Sequence, residues 1–217
     1  MLAMQEPTWG HNLLLFLNEY MKYHYFLLIS VPITADIFVF FYPMLLFILY
    51  LIGLLKNKEY YKESALWIFF SGIFSVIFNI FIQLFCDKIR PNILLGMLDE
   101  KLETILHKIL PQSSFPSDHA AISMGIAIGI LLRGYKNKDK KFVYIGIVFV
   151  LFSLIMGLSR VMTAVHRPTD VIAGRIVGIF VPLILFQKNI YKFLKKTLIN
   201  PLINLQKFIW KLFGVKY

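Results

Sequence analysis

The sequence predicts an all-α fold: a polytopic membrane bundle of about five or six transmembrane helices, with amphipathic segments at both ends. Three observations predict it. Hydrophobic residues make up 58% of the 217, and the mean hydropathy of +0.69 is too high for an ordinary soluble domain. Long apolar runs alternate with short charged loops, as in chains whose solvent is a bilayer. The net charge of +11 is carried mainly by Lys and Arg in those loops, which reads as topology and lipid contact and argues against a nucleic-acid face.

The elements follow in order. Residues 11–24 set leucines and aromatics at helical spacing around Asn18, Glu19 and Lys22, predicting an interfacial helix. Pro32, Thr34, Asp36 and Pro43 interrupt the next apolar run. A re-entrant or interfacial piece is therefore expected over residues 25–35 and a first span over 37–55; a span over 11–31 is the alternative that makes six. Further spans are expected at 64–86, 118–133, 142–162 and 168–187. The longest polar stretch, 87–117, carries an amphipathic helix at about 98–110. The tail, 188–217, spaces lysines such as Lys188, Lys195 and Lys207 among apolar residues without any acid. That pattern predicts a basic amphipathic segment on an anionic leaflet.

No repeat or low-complexity linker divides the chain, so residues 1–217 are expected to form one domain with a catalytic core at about 64–187. The N-terminus lacks the pattern of a removable signal peptide. Cys86 is the sole cysteine, which excludes an intrachain disulfide and a thiol metal site. With five spans, the loops at 56–63 and 133–141 and the tail share one face and hold more than half of the 23 Lys and Arg. By the positive-inside rule that face is cytoplasmic. The expected location is the plasma (inner) membrane, with the 87–117 loop and the 160–168 connection on the outer or periplasmic side.

Three polar segments fall at membrane boundaries on that outer side: Asp87 to Pro91, Phe115 to His119, and Ser159-Arg160 with His166 to Asp170. Charged residues at span ends often serve only as anchors, but three such segments converging on one face suggest chemistry. Arg90 and Arg160 offer permanently charged forks suited to phosphate oxygens. Ser117 and the start of the third span add donors for an anion. His166 and Asp170 are four apart and share a helix face. A carboxylate bonded to one ring nitrogen leaves the other free to attack phosphorus, and His119 can protonate the leaving oxygen. Such a set performs phosphoryl transfer through a phosphohistidine with no metal or other cofactor.

Arg90-Pro91, Pro116-Ser117-Asp118-His119 and Ser159-Arg160…His166…Asp170 stand in the order and spacing of a known signature. The chain resembles the type-2 phosphatidic acid phosphatases, membrane lipid phosphatases that share their active site with vanadium haloperoxidases. The resemblance covers about 64–187. It implies His166 as nucleophile, Asp170 as its partner and His119 as general acid, with Arg90, Ser117 and Arg160 binding the phosphate.

Two positions depart from the family pattern. Gln83 stands where the pattern has lysine, two helical turns before Arg90, and Lys88 is the nearby candidate to replace it. Asp118 stands where many members have glycine, which is similar to the undecaprenyl pyrophosphate phosphatase subgroup. Asp118 either tunes His119, meets a cation or caps the third span. Arg175, inside the fifth span, is expected to pair with Asp36 or Asp170. His11, His24 and His107 have no motif partner.

The resemblance implies a lipid phosphate as substrate and membrane lipids as partners, undecaprenyl pyrophosphate first. Phosphatidic acid, phosphatidylglycerophosphate and lipid A phosphate are the alternatives, and a phosphotransferase would use the same residues. A haloperoxidase and a non-catalytic lipid-binding relative are the readings from other classes. Oligomeric state is not readable from the chain.

Overall fold

The computed structural model describes residues 2–3, 5–91 and 113–213. Helix α1 spans Thr8–Tyr23, α2 Tyr25–Leu55, α3 Glu59–Gln83, α4 Asp118–Asn137, α5 Lys140–Met162 and α6 Pro168–Leu185. The tail forms α7 at Lys188–Leu194, a π turn at Lys195–Ile199 and α8 at Asn200–Leu212. Two-residue strands β1, Leu2–Ala3, and β2, Cys86–Asp87, pair in parallel. The helix expected at 98–110, with His107, lies outside the described residues.

Among the described helices, α2, α3, α5 and α6 are long and apolar enough to cross a membrane. Five spans were expected from the sequence. The remaining one, expected at 118–133, is α4, which is 20 residues long and falls short in hydropathy because it is packed against α3, α5 and α6. Enclosed by protein, it uses small and polar residues where a lipid-facing helix needs large apolar ones. Gly125 lies against Ser75 of α3, and Gly174 of α6 lies against the Ser117 carbonyl at the start of α4. A Cβ at Gly174 would meet that oxygen at 2.4 Å. The absent side chain lets α4 and α6 run close together.

The expected break before residue 37 is corrected. Residues Tyr25–Leu55 form one helix with Pro32 and Pro43 inside it. A break there would leave backbone groups unpaired in lipid, whereas a helix satisfies all but those the prolines remove. Thr34 Oγ1 donates to the Val31 carbonyl at 2.9 Å. At 31 residues, α2 is about 46 Å long and exceeds a hydrocarbon core of about 30 Å. Helix α1 ends at Tyr23 and α2 starts anew after His24, so no single helix covers 11–31. Instead α1 packs Leu14 against Val161, Ala164 and Val171, and Asn18 Nδ2 donates to the Met162 carbonyl at 2.7 Å.

The tail docks on protein as well as carrying its lysines. Tyr191, Ile199 and Ile203 bury against Trp67 of α3, with the Tyr191 and Trp67 rings stacked at 4.1 Å. Arg133, only 3% exposed, donates to Ser64 at 2.9 Å and to the Tyr191 hydroxyl at 2.6 Å. Lys195 bonds Glu63 at 3.0 Å. These contacts join the end of α4 to the start of α3, at the opposite end of the bundle from the polar groups described next.

Candidate active site

Helices α3 and α5 run antiparallel to α4 and α6, so the end of α3, the start of α4, the end of α5 and the start of α6 meet at one end of the bundle. The three polar segments singled out in the sequence sit there. The Ser117 amide donates to the Asp170 carbonyl at 3.0 Å, joining α4 to α6 directly. The turn between α5 and α6 is tight. Ala164 takes a positive φ of 55°, and the His166 amide returns to the Arg160 carbonyl at 3.2 Å.

His166 is buried, and its Nδ1 lies 3.0 Å from the Ser114 carbonyl. A carbonyl only accepts, so Nδ1 carries the proton and Nε2 keeps its lone pair. Asp170 Oδ2 is 3.8 Å from Nδ1, within reach of an ion pair and beyond hydrogen-bond length. The expected carboxylate–imidazole bond is thus replaced by a backbone carbonyl, with the carboxylate beside it. Burial pushes the His166 imidazole below its usual range; Asp170 raises it, and the Arg90 and Arg160 charges lower it again. The ring is therefore neutral near pH 7.

Asp170 is fully buried and held from two sides. Oδ2 accepts the Arg167 amide at 2.8 Å, capping α6. Oδ1 accepts from Lys88 Nζ at 2.7 Å. Lys88 also donates to Glu6 at 2.6 Å and Thr169 at 2.7 Å, so all three ammonium protons are engaged. Gln83 Nε2 donates to the Pro116 carbonyl at 2.9 Å and to Asp118 at 3.0 Å. As placed, neither Lys88 nor Gln83 has a donor left for a phosphate. Helix α3 stops at Gln83, so the helical register expected to join residues 83 and 90 does not extend that far. The chain instead turns through β2 and brings Lys88 inward.

Arg160 contacts His119 Nε2 through a terminal guanidinium nitrogen. An arginine only donates, so this Nε2 accepts. Arg160 also lies 3.4 Å from Asp36, and the neighbouring Ser159 hydroxyl is 2.8 Å from that of Thr34. Asp36 therefore pairs with Arg160 and not with Arg175. Arg175 reaches backbone, donating to the Leu154 carbonyl at 2.9 Å. Asp118 is the first residue of α4 and Ser117 its cap. The Asp118 carboxylate accepts from Asn79 at 2.7 Å as well as from Gln83. Ser117 Oγ and Arg160 Nε are buried without a partner among the described residues, and a phosphate supplies the acceptors such donors require.

Several participants were given no role from the sequence: the Ser114 carbonyl, Glu6 and Asn79, and Thr169 within the third polar segment. A backbone carbonyl has no sequence signature. Asn79, one turn before Gln83 on the same face of α3, was detectable from helical spacing. Among the described residues, no three His, Cys, Asp or Glu side chains cluster to hold a metal ion.

Comparison with known proteins shows which family builds this site. Residues 64–193 match the PAP2 superfamily. The chain belongs to that family. The PAP2 match starts within α3, takes in α4 to α6, ends within α7 and excludes α1 and α2. An undecaprenyl-diphosphatase (BcrC) of Bacillus subtilis (strain 168) is 26% identical over 149 residues, 67% of this chain and 66% of its own length. A protein named bacitracin transport permease protein BcrC, of Bacillus licheniformis, is 33% identical over 82 residues, 38% of this chain and 36% of its own. The matches therefore span less than two thirds of either relative. No solved structure matches. Within this PAP2 chain, both departures from the family pattern are in contact, Gln83 with Asp118.

Proposed function

We propose that the protein is a membrane lipid phosphatase that works through a phosphohistidine on His166, with undecaprenyl pyrophosphate as its substrate. Family membership and the Bacillus subtilis relative support the phosphatase class, and that relative's name supports the substrate. The observation that carries the mechanism is the bond between His166 Nδ1 and the Ser114 carbonyl at 3.0 Å. It commits one ring nitrogen and leaves Nε2 as a nucleophile in a buried, neutral imidazole.

In the first step Nε2 attacks the terminal phosphorus while the bridging P–O bond breaks. Arg90, Arg160 and Ser117 receive the charge that builds on the equatorial oxygens. A phosphate oxygen taking the Arg160 guanidinium relieves its contact with His119; the freed Nε2 takes up a proton from the acidic hydroxyl of the bound phosphate or from water and delivers it to the departing lipid phosphate. In the second step His119 takes a proton from water, the hydroxide attacks the phosphohistidine, and orthophosphate leaves with the N–P bond's electrons returned to His166. Asp170, 3.8 Å from Nδ1, stabilises the positive ring that exists between the steps. The lipid tail stays in the bilayer, and the site end of the bundle faces outward by the positive-inside rule.

The test is phosphate release from undecaprenyl pyrophosphate, phosphatidic acid and phosphatidylglycerophosphate by purified protein, with His166→Ala alongside. Wild type is expected to release phosphate with chelator present, fastest from the pyrophosphate, and the variant to be silent. Equal release by both proteins would remove the nucleophile assignment. A protein that only transported bacitracin, as the second relative is named, would leave all three lipids unhydrolysed, and the same assay separates the two readings.

A further inference from the structure

The family-matched region starts at residue 64, yet one carboxylate beside the catalytic cluster comes from residue 6. Leu2 pairs with Cys86 and Ala3 with Asp87 in parallel register, which holds the segment that carries Glu6 against the segment that carries Lys88. Glu6 Oε2 accepts from Lys88 Nζ at 2.6 Å and from the Thr169 hydroxyl. Lys88 Nζ bridges to Asp170 Oδ1 at 2.7 Å. The side chains of Lys88, Glu6 and Asp170 are 3%, 5% and 0% exposed, so these charges depend on one another for solvation. The Lys88 backbone is engaged as well: its carbonyl accepts the Ser114 amide at 2.7 Å, and the Ser114 carbonyl holds His166.

We propose that Glu6 is a positioning residue of the active site, acting through Lys88 to fix the Asp170 carboxylate beside His166. The proposal rests on the phosphatase reading for its kinetic consequence. Glu6 draws the ammonium into a place where its three protons reach Glu6, Thr169 and Asp170 together. With Oδ1 pinned by Lys88 and Oδ2 by the Arg167 amide, the carboxylate cannot swing away from the ring. On this account Lys88 does not replace the family lysine as a phosphate ligand. It orients the nucleophile's partner, and the N-terminal segment supplies its counter-charge.

The test compares full-length wild type, Glu6→Gln, Lys88→Met and the double variant in hydrolysis of undecaprenyl pyrophosphate. Each single variant is expected to lose about tenfold or more in kcat through misplacement of the reacting groups, with KM unchanged. The double variant is expected to be no worse than Lys88→Met, because Glu6 acts only through Lys88. A raised KM with unchanged kcat in Lys88→Met would make the ammonium a phosphate ligand and overturn the proposal. So would additive losses, or a Glu6→Gln protein with wild-type kcat. If Lys88→Met fails to fold, Thr169→Val and Glu6→Gln, each removing one partner of the ammonium, replace it with the same expectation. Thermal midpoints of the same proteins read the linkage without turnover: a double variant that loses less than the two singles together supports it, and additivity overturns it. A wild type that releases no phosphate would count against the phosphatase reading, and the midpoints would still decide this one.

Discussion

At the scale of single residues, the state of His166, the proposed nucleophile, depends on neighbours of opposite effect. Burial and the two arginines disfavour a charged His166, and Asp170 favours it. The net direction is downward, so the ring is neutral at a lower pH than a solvent-exposed histidine. Protonation removes the Nε2 lone pair, so nucleophilic competence is lost as pH falls through this lowered value and is complete above it. An NMR titration of 15N-labelled histidine, with His166 assigned by comparison with His166→Ala, is expected to place its midpoint below about 6.5, the free imidazole value. A midpoint at or above that value would contradict the account. Gln83 shows the same dependence on neighbours. Its amide is consumed by the Pro116 carbonyl and Asp118, so the residue that replaces the motif lysine shapes the loop before His119.

At the scale of elements, the site depends on how closely α4 and α6 approach. Gly174 faces the Ser117 carbonyl, and Gly178 faces the Ala121 carbonyl. Adding a methyl group at 174 brings a carbon within 2.4 Å of backbone oxygen, which cannot rotate away as a flexible side chain would. Gly174→Ala is therefore expected to cost about 1–3 kcal/mol of stability and to lower kcat by separating Ser117 and His119 from His166. Thermal unfolding and phosphate release together check this; a stable, fully active variant would show that the helices part without cost. The α5–α6 turn is also set by backbone shape. Ala164 holds a left-handed conformation and its methyl is buried against Leu14, Val161 and Val171, so helix α1 covers the turn that presents His166.

At the scale of the whole molecule, the candidate site lies at one end and an electrostatic lock at the other. Arg133, Glu63, Tyr191 and Lys195 join α3, α4 and the tail, while Lys207 pairs with Glu59. If the basic end is cytoplasmic, Lys58→Cys in a Cys86→Ser background is expected to react with a membrane-impermeant maleimide only after permeabilisation. Tyr23→Cys, exposed at the end of the candidate site, is expected to react in intact cells. The reverse pattern would turn the molecule over and place the site inside.

The sequence alone determined the class of fold and the motif residues. Apolar runs of membrane-spanning length have few other solutions, and the motif spacings place the key side chains at helix ends. It did not reveal that Tyr25–Leu55 is continuous, because proline disfavours helix in water more than lipid permits a break. Only the tertiary structure decided who partners whom. Sequence spacing set His166 on Asp170, and folding gave Nδ1 to the Ser114 carbonyl. The cost of an unpaired charge sent Arg175 toward Asp36 or Asp170, and packing gave Asp36 to Arg160 and Asp170 to Lys88. Spacing offered Lys88 to the phosphate, and Glu6, 82 residues away in the chain, took it instead. Bonds between distant segments depend on where whole helices come to rest, and no local pattern encodes that.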